Sequence, residues 1–286
     1  MSQSLSIPRW LLEDLVRRAL EEDLGQAGDL TSEAVVPGEL EAGGVIVARA
    51  PGRLCGMATA AATFRAVDET VEFEALKRDG DDLDRGDQIA RVDGRARSLL
   101  VAERTALNFL SHLSGIATAT RDLVRRIEGS RAQVTCTRKT TPGLRALEKY
   151  AVRTGGGRNH RFGLDDAILI KDNHLALAGG VGAAVHKARA AAGHTVKVEV
   201  EVEDLPQLEE ALAAGADIVL LDNMAVAELG EAVARCRGRA VTEASGGIDA
   251  DTIAEVAATG VDLISVGWIT HSAPALDLAL DLESGR

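Results

Sequence analysis

The sequence predicts an α/β protein in two parts, an α+β domain with antiparallel strands followed by a parallel α/β barrel. Three observations carry that expectation. Residues 1 to about 110 mix helical spacing with short β-rich runs punctuated by Gly and Asp. From residue 132 short apolar runs alternate with Ala- and Leu-rich helical stretches, as parallel strands joined by crossover helices require. The 286 residues, 46% hydrophobic and 27% charged, can bury a large core and exclude general disorder.

The N-terminal stretch MSQSLSIPRWLLEDLVRRALEEDL lacks the basic start and apolar centre of a signal peptide. It reads as an amphipathic helix, with Leu11, Leu12, Leu15, Val16, Ala19 and Leu20 at helical spacing behind Pro8. GGVIVARAPGRLCG (43–56) and TVEFEALKRDGDDLDRGDQIARVDGRA (70–96) carry the antiparallel strands. ERTALNFLSHLSGIATATRDLVRRI (103–127) reads as one long helix or a helix pair. Six apolar runs follow, at 132–137, 167–170, 196–202, 217–221, 240–244 and 262–267. AAGADIVLL (213–221) and ATGVDLISV (258–266) echo each other: a helix ends at Gly and a buried strand begins after Asp. So many short units favour a barrel. An open doubly wound sheet is the alternative, although no GxGxxG follows the first strand.

A net charge of −12 and 2% aromatic residues argue against a nucleic-acid partner. No apolar run approaches the length of a membrane span. Cys55, Cys136 and Cys236 are scattered and suggest neither disulfides nor zinc, so a reducing cytoplasm is expected. Charge is nonetheless uneven. Between Arg138 and Lys171 eight basic residues face three acidic ones, and a basic pocket in an acidic body suits a small polyanion. Inside that window lies GGGRNHRFG (155–163), three glycines followed by Arg158, His160 and Arg161.

Barrel chemistry collects at the C-terminal ends of the strands. Those ends carry Arg138 and Lys139, Lys171, Glu201, Asp222 with Asn223, Ser245-Gly246-Gly247, and Gly267. Glu199, Glu201 and Glu203 alternate with valines, and a carboxylate on a strand covered on both faces needs a cationic partner such as Lys139, Lys171 or a metal ion. A hard ion such as Mg²⁺ suits Glu201 and Asp222, because it binds few carboxylates plus water and phosphate oxygens. Ser245-Gly246-Gly247 reads as a tight anion-binding turn feeding a helix. His174 and His271 read as structural histidines, and no nucleophilic triad is visible.

The stretch TRKTTPGLRALEKYAVRTGGGRNHRFGLDDAILIKDNH (137–174) resembles the signature of the quinolinate phosphoribosyltransferase family. ERTALNFLSHLSGIAT (103–118), VEVEVED (198–204), LLDNM (220–224), EASGGI (243–248) and SVGWITHS (265–272) resemble it in the same order. EEDLGQAGDLTSEAV (21–35) extends the likeness to the N-terminal part. The resemblance implies an N-terminal α/β sandwich domain over 1–112, rejoined by the C-terminal segment 273–286, and an incomplete parallel α/β barrel over 113–272. It implies a homodimer with active sites shared across the interface. The reaction implied converts quinolinate and phosphoribosyl pyrophosphate to nicotinate mononucleotide, pyrophosphate and carbon dioxide, a step of de novo NAD biosynthesis.

Residue by residue, the resemblance implies that Arg138, His160 and Arg161 meet the pyridine dicarboxylate, with Arg104 supplied by the second subunit. Lys139 and Lys171 would lie between the substrates, Glu201 and Asp222 would serve ribose hydroxyls and Mg²⁺, and Ser245, Gly246, Gly247 and Gly267 would hold the 5′-phosphate. The glycines of 155–157 would let the backbone bend close to the ligand, with Arg158 left solvated. Cys136 stands where the family pattern has Asp, and Trp268 where a small residue follows Gly267. Rival readings are a nicotinate phosphoribosyltransferase that does not decarboxylate, and a non-catalytic anion-binding barrel.

Overall fold

A computed structural model describes residues 7–284. They fall into two compact units: the first takes the chain up to Arg121, Thr141–Gly156 and Ser272 onward, the second Asp122–Thr140 and Gly157–His271. In chain order the first stretch is α1 (Arg9–Leu24), α2 (Leu30–Val35), β1 (Glu41–Ala48), β2 (Gly52–Arg53), α3 (Met57–Val67), β3 (Glu72–Ala75), β4 (Asp82–Leu83), β5 (Gln88–Arg95) and α4 (Ala96–Arg126). Next come β6 (Gln133–Thr135), α5 (Arg145–Thr154), β7 (Ile168–Ile170), α6 (Asp172–Ala178), α7 (Val181–Ala191) and β8 (Val198–Val202). The remainder is α8 (Leu205–Ala213), β9 (Ile218–Asp222), α9 (Val226–Cys236), β10 (Val241–Ser245), α10 (Ile253–Ala258), β11 (Leu263–Ser265), α11 (Trp268–His271) and β12 (Leu278–Ser284).

The first unit is built on an antiparallel sheet ordered β12-β1-β5-β3, with a small β2-β4 pair beside it in the chain. α1 buries Leu12, Val16 and Leu20, the inner edge of the apolar stripe read from the sequence. α2 starts where Asp29 accepts the Thr31 and Ser32 backbone N–H groups at 3.1 and 3.0 Å, an N-cap that satisfies orphan donors. Ile46, Leu54, Phe64, Ile89, Leu99 and Leu110 anchor one apolar core drawn from strands and helices alike. α4 is a single unbroken helix of 31 residues, so the alternative of a helix pair falls away. Within α5, Glu148 is fully buried; its carboxylate meets His112 Nε2 at 2.9 Å and the Thr141 N–H at 3.1 Å.

The glycine run opens on a packing role. Gly155 caps α5, and a Cβ there would lie 2.5 Å from the Ala117 carbonyl oxygen and 2.6 Å from Thr120 Cβ, both on α4. Gly156 follows at φ +93°, a region open to glycine. Gly155 thus closes α5 against α4.

In the second unit all six apolar runs are strands, and all pair in parallel in the order β6-β11-β10-β9-β8-β7. From β7 to β11 the order is sequential, without the reversal that marks a doubly wound sheet. β6 and β7 do not pair with each other among the described residues, so the barrel stays incomplete. The repeated Gly-to-Asp pattern has a structural cause at the strand starts. Asp217 Oδ2 accepts the Val198 N–H entering β8, and Asp262 Oδ2 accepts the Thr242 N–H of β10, each at 2.9 Å. Each aspartate staples its strand to a neighbour at the end opposite the candidate site.

Candidate active site

The strands bring their C-terminal ends together around a cavity of about 760 Å³. Arg138 and Lys139 follow β6, Lys171 follows β7, Glu201 lies in β8, and Asp222 and Ser245 close β9 and β10. These residues line the cavity together with His160, Arg161, Gly246, Gly247 and Gly267. Arg104 does not line it: it lies on α4 in the first unit, 68% exposed, with the Glu103 carboxylate 3.9 Å away. Glu203 and Arg158 are exposed.

The carboxylates of β8 each face a nitrogen, as burial demands. Lys171 Nζ donates to Glu201 Oε2. His160 Nε2 lies 3.2 Å from Glu199 Oε2 and 3.5 Å from Glu243 Oε1. Burial, and then the nearby Glu199 charge, push the Glu243 carboxyl above its ordinary range. Arg161 is held by the Ala167 carbonyl, which accepts from Nη1 at 3.0 Å. Burial and the adjacent Arg138 lower its pKa. Arg138 Nε and Arg161 Nε are buried without a hydrogen-bond partner among the described residues. Two neighbouring guanidiniums at a cavity wall, each with unspent donor capacity, form a receptor for an anion that brings its own oxygens.

The turn after β10 is shaped by Asn223. This residue takes φ +54°, accepted through a backbone hydrogen bond from its N–H to the Ser245 carbonyl at 2.9 Å. Its Nδ2 donates to Asp222 Oδ2 at 2.7 Å. A Cβ on Gly246 (φ +101°) would lie 2.2 Å from Asn223 Oδ1. Gly247, also at positive φ, would meet nothing within 4 Å. The turn is therefore packed on one side and open on the other, and suited to present backbone N–H groups to an anion.

Glu201 and Asp222 both line the cavity with hard carboxylate oxygens, and each keeps an oxygen beyond those engaged by Lys171 and Asn223. This donor set fits Mg²⁺. His160 with Glu199 and Glu243 is the other grouping with metal-ligand chemistry. There, however, Nδ1 accepts the Arg161 N–H at 2.7 Å, which leaves the hydrogen of the neutral ring on Nε2.

Sequence reasoning passed over Glu243 and the cavity-lining position of His271, and placed Asn223 at a strand end without a role. Glu243 carried a usable signal, a lone acid inside the apolar run AVTEA. His174 is structural as expected, its Nδ1 accepting the Lys171 N–H at 2.9 Å where α6 begins. Of the two departures, Trp268 lines the cavity and donates its indole N–H to the Ile248 carbonyl at 3.3 Å. Cys136 is fully buried, with its thiol 3.5 Å from Asn159 Oδ1.

The model of the quinolinate phosphoribosyl transferase N-terminal domain matches residues 29–114, and that of the C-terminal domain matches 116–281. The chain is similar to the probable carboxylating nicotinate-nucleotide pyrophosphorylase of Bacillus subtilis, at 46% identity over 95% of this chain and 93% of the relative. It is equally similar to the Mycobacterium leprae enzyme of that name, at 46% identity over 94% and 96%. The structure of the nicotinate-nucleotide pyrophosphorylase from Francisella tularensis superposes with a TM-score of 0.93 at 41% identity, covering 99% of this chain and all of that one. Two matched domains in order, near-complete coverage and a common fold lead to one conclusion: the chain belongs to the quinolinate phosphoribosyltransferase family.

Proposed function

We propose that this protein transfers a phosphoribosyl group from phosphoribosyl pyrophosphate to quinolinate, releasing pyrophosphate and carbon dioxide and leaving nicotinate mononucleotide. The observation that carries this reading is the cavity itself, whose lining joins paired guanidiniums with an open glycine turn and two carboxylates. A dicarboxylate suits the guanidiniums, and a phosphosugar suits the turn and the carboxylates.

Both substrates are strongly anionic, so the site must cancel charge before they meet. Arg138 and Arg161 bind and orient the dicarboxylate, and the turn at Ser245–Gly247 takes the sugar phosphate. Glu201 and Asp222 orient the ribose hydroxyls and would hold Mg²⁺, which when bound neutralises pyrophosphate charge. The ring nitrogen forms its bond to the ribose anomeric carbon as the bond to pyrophosphate oxygen breaks, and the adjacent carboxylates stabilise positive charge on the ribose. The resulting pyridinium nitrogen accepts the electron pair when the neighbouring carbon–carboxylate bond breaks. Carbon dioxide leaves, and the ring carbon takes up a proton. No covalent enzyme intermediate is required.

Arg104, exposed on α4, fits a contribution to the cavity of a second copy in a homodimer. No described helix is long and apolar enough to cross a membrane, in keeping with a cytoplasmic enzyme. The test is carbon dioxide release from carboxyl-labelled quinolinate, with and without phosphoribosyl pyrophosphate and Mg²⁺. Release that requires all three supports the reading. A folded protein that binds quinolinate and releases none under any condition refutes it.

A further inference from the structure

Both nitrogens of the His160 ring are engaged by the protein. Nδ1 accepts the backbone N–H of Arg161, and Nε2 faces the carboxylates of Glu199 on β8 and Glu243 on β10. Those carboxylates are only 4% and 2% exposed. Each leaves its Oε1 buried without a hydrogen bond among the described residues, the 3.5 Å approach of Glu243 being an ion-pair distance only. Two acids buried side by side with unspent oxygens destabilise a fold. What the pair faces is the His160 ring.

We propose that Glu243, acting with Glu199, is a positioning residue for Arg161: the pair clamps the His160 ring, and the ring fixes the backbone of the residue whose guanidinium grips the substrate. The inference rests on the dicarboxylate reading above. Arg161 is then anchored at both ends, by His160 Nδ1 at its backbone and by the Ala167 carbonyl at its guanidinium. Without the clamp the ring turns freely, and the backbone donor loses its acceptor. Glu243 also lines the cavity. Its raised pKa, set by burial and Glu199 and opposed by His160, Ser265 and Lys171, lessens the negative charge it presents to an incoming dianion.

The test uses Glu243→Ala, Glu243→Gln, His160→Ala and the Glu243→Ala/His160→Ala pair, each checked for folding by thermal melting. Quinolinate dissociation constants come from calorimetry, and KM for phosphoribosyl pyrophosphate from carbon dioxide release. Glu243→Ala should weaken quinolinate binding about tenfold, leave the other substrate within about twofold, and add nothing once His160 is Ala. Glu243→Gln keeps an acceptor oxygen and should recover most of the loss. Unchanged quinolinate binding in Glu243→Ala, equal losses for both substrates, or full additivity with His160→Ala overturns the proposal. The ¹⁵N-labelled His160 Nε2–H resonance decides the clamp independently of substrate identity. A slowly exchanging signal that Glu243→Ala abolishes supports it, and a signal untouched by the substitution refutes it even if the turnover assay has already sunk the quinolinate reading.

Discussion

Replacing Gly246 by alanine tests the geometry of the phosphate turn most directly. The backbone there sits at φ +101°, and the new methyl would lie 2.2 Å from Asn223 Oδ1, 2.5 Å from its Cγ and 2.8 Å from its backbone nitrogen. Rotating the side chain clears the first two contacts but not the third. A left-handed alanine costs about 1–2 kcal/mol, and forcing a group into a packed site typically adds about 1–3 kcal/mol. The structure must absorb roughly 2–5 kcal/mol in one of two ways. If the turn holds, the melting temperature falls by several degrees. If the turn shifts, Asn223 is driven off Asp222, and kcat/KM for phosphoribosyl pyrophosphate falls roughly thirtyfold or more, since each 1.4 kcal/mol is tenfold. Melting curves and a carbon dioxide release assay with varied phosphoribosyl pyrophosphate read both routes. Wild-type values in both would refute the packing described for this turn.

Other outcomes follow from the same site. Arg161→Ala removes a charge-assisted contact and should lower kcat/KM for quinolinate by roughly 1.5–3 kcal/mol, ten- to a hundredfold or more, with unchanged kinetics refuting its role. The raised pKa of Glu243 means the native state binds its proton more tightly than the unfolded chain. That stabilisation is complete below the ordinary carboxylate range and is lost as pH rises toward neutrality. Urea midpoints should therefore fall with pH more steeply for wild type than for Glu243→Gln. Cys55, Cys136 and Cys236 are buried thiols outside any disulfide, and burial raises the pKa of Cys55 and pushes Cys236 up to about 11. The native protein should resist alkylation at pH 8 and label at all three sites in denaturant, as mass spectrometry would read.

The six barrel strands were legible because a strand covered on both faces leaves an uninterrupted apolar run. The chemistry at their ends followed from the fold alone, since Lys171, Glu201, Asp222 and Ser245 each stand at or within a residue or two of where a run stops. What escaped notice depends on contacts distant in the chain. Gly155 is required by Ala117 and Thr120 on α4, a reason absent from its own neighbourhood in the sequence. His160, Glu199 and Glu243 meet only because a loop folds back over strands 39 and 83 residues further along, which the numbering alone does not announce. Glu243, like Glu201, is a buried acid on a strand covered on both faces, but it stands alone in AVTEA where three acids alternate with valines around Glu201.

The antiparallel sheet of the first unit has a consequence for biosynthesis. β1 is completed on one side by β5 and on the other by β12, which includes Asp281, 232 positions beyond its partner Arg49. As the ribosome extends the chain, the inner edge of β1 stays open while the whole barrel is being made. An open edge invites pairing with other nascent chains. Synthesis of this protein therefore passes through a long window in which its first-made sheet is its stickiest surface, closed only when residues 278–284 arrive.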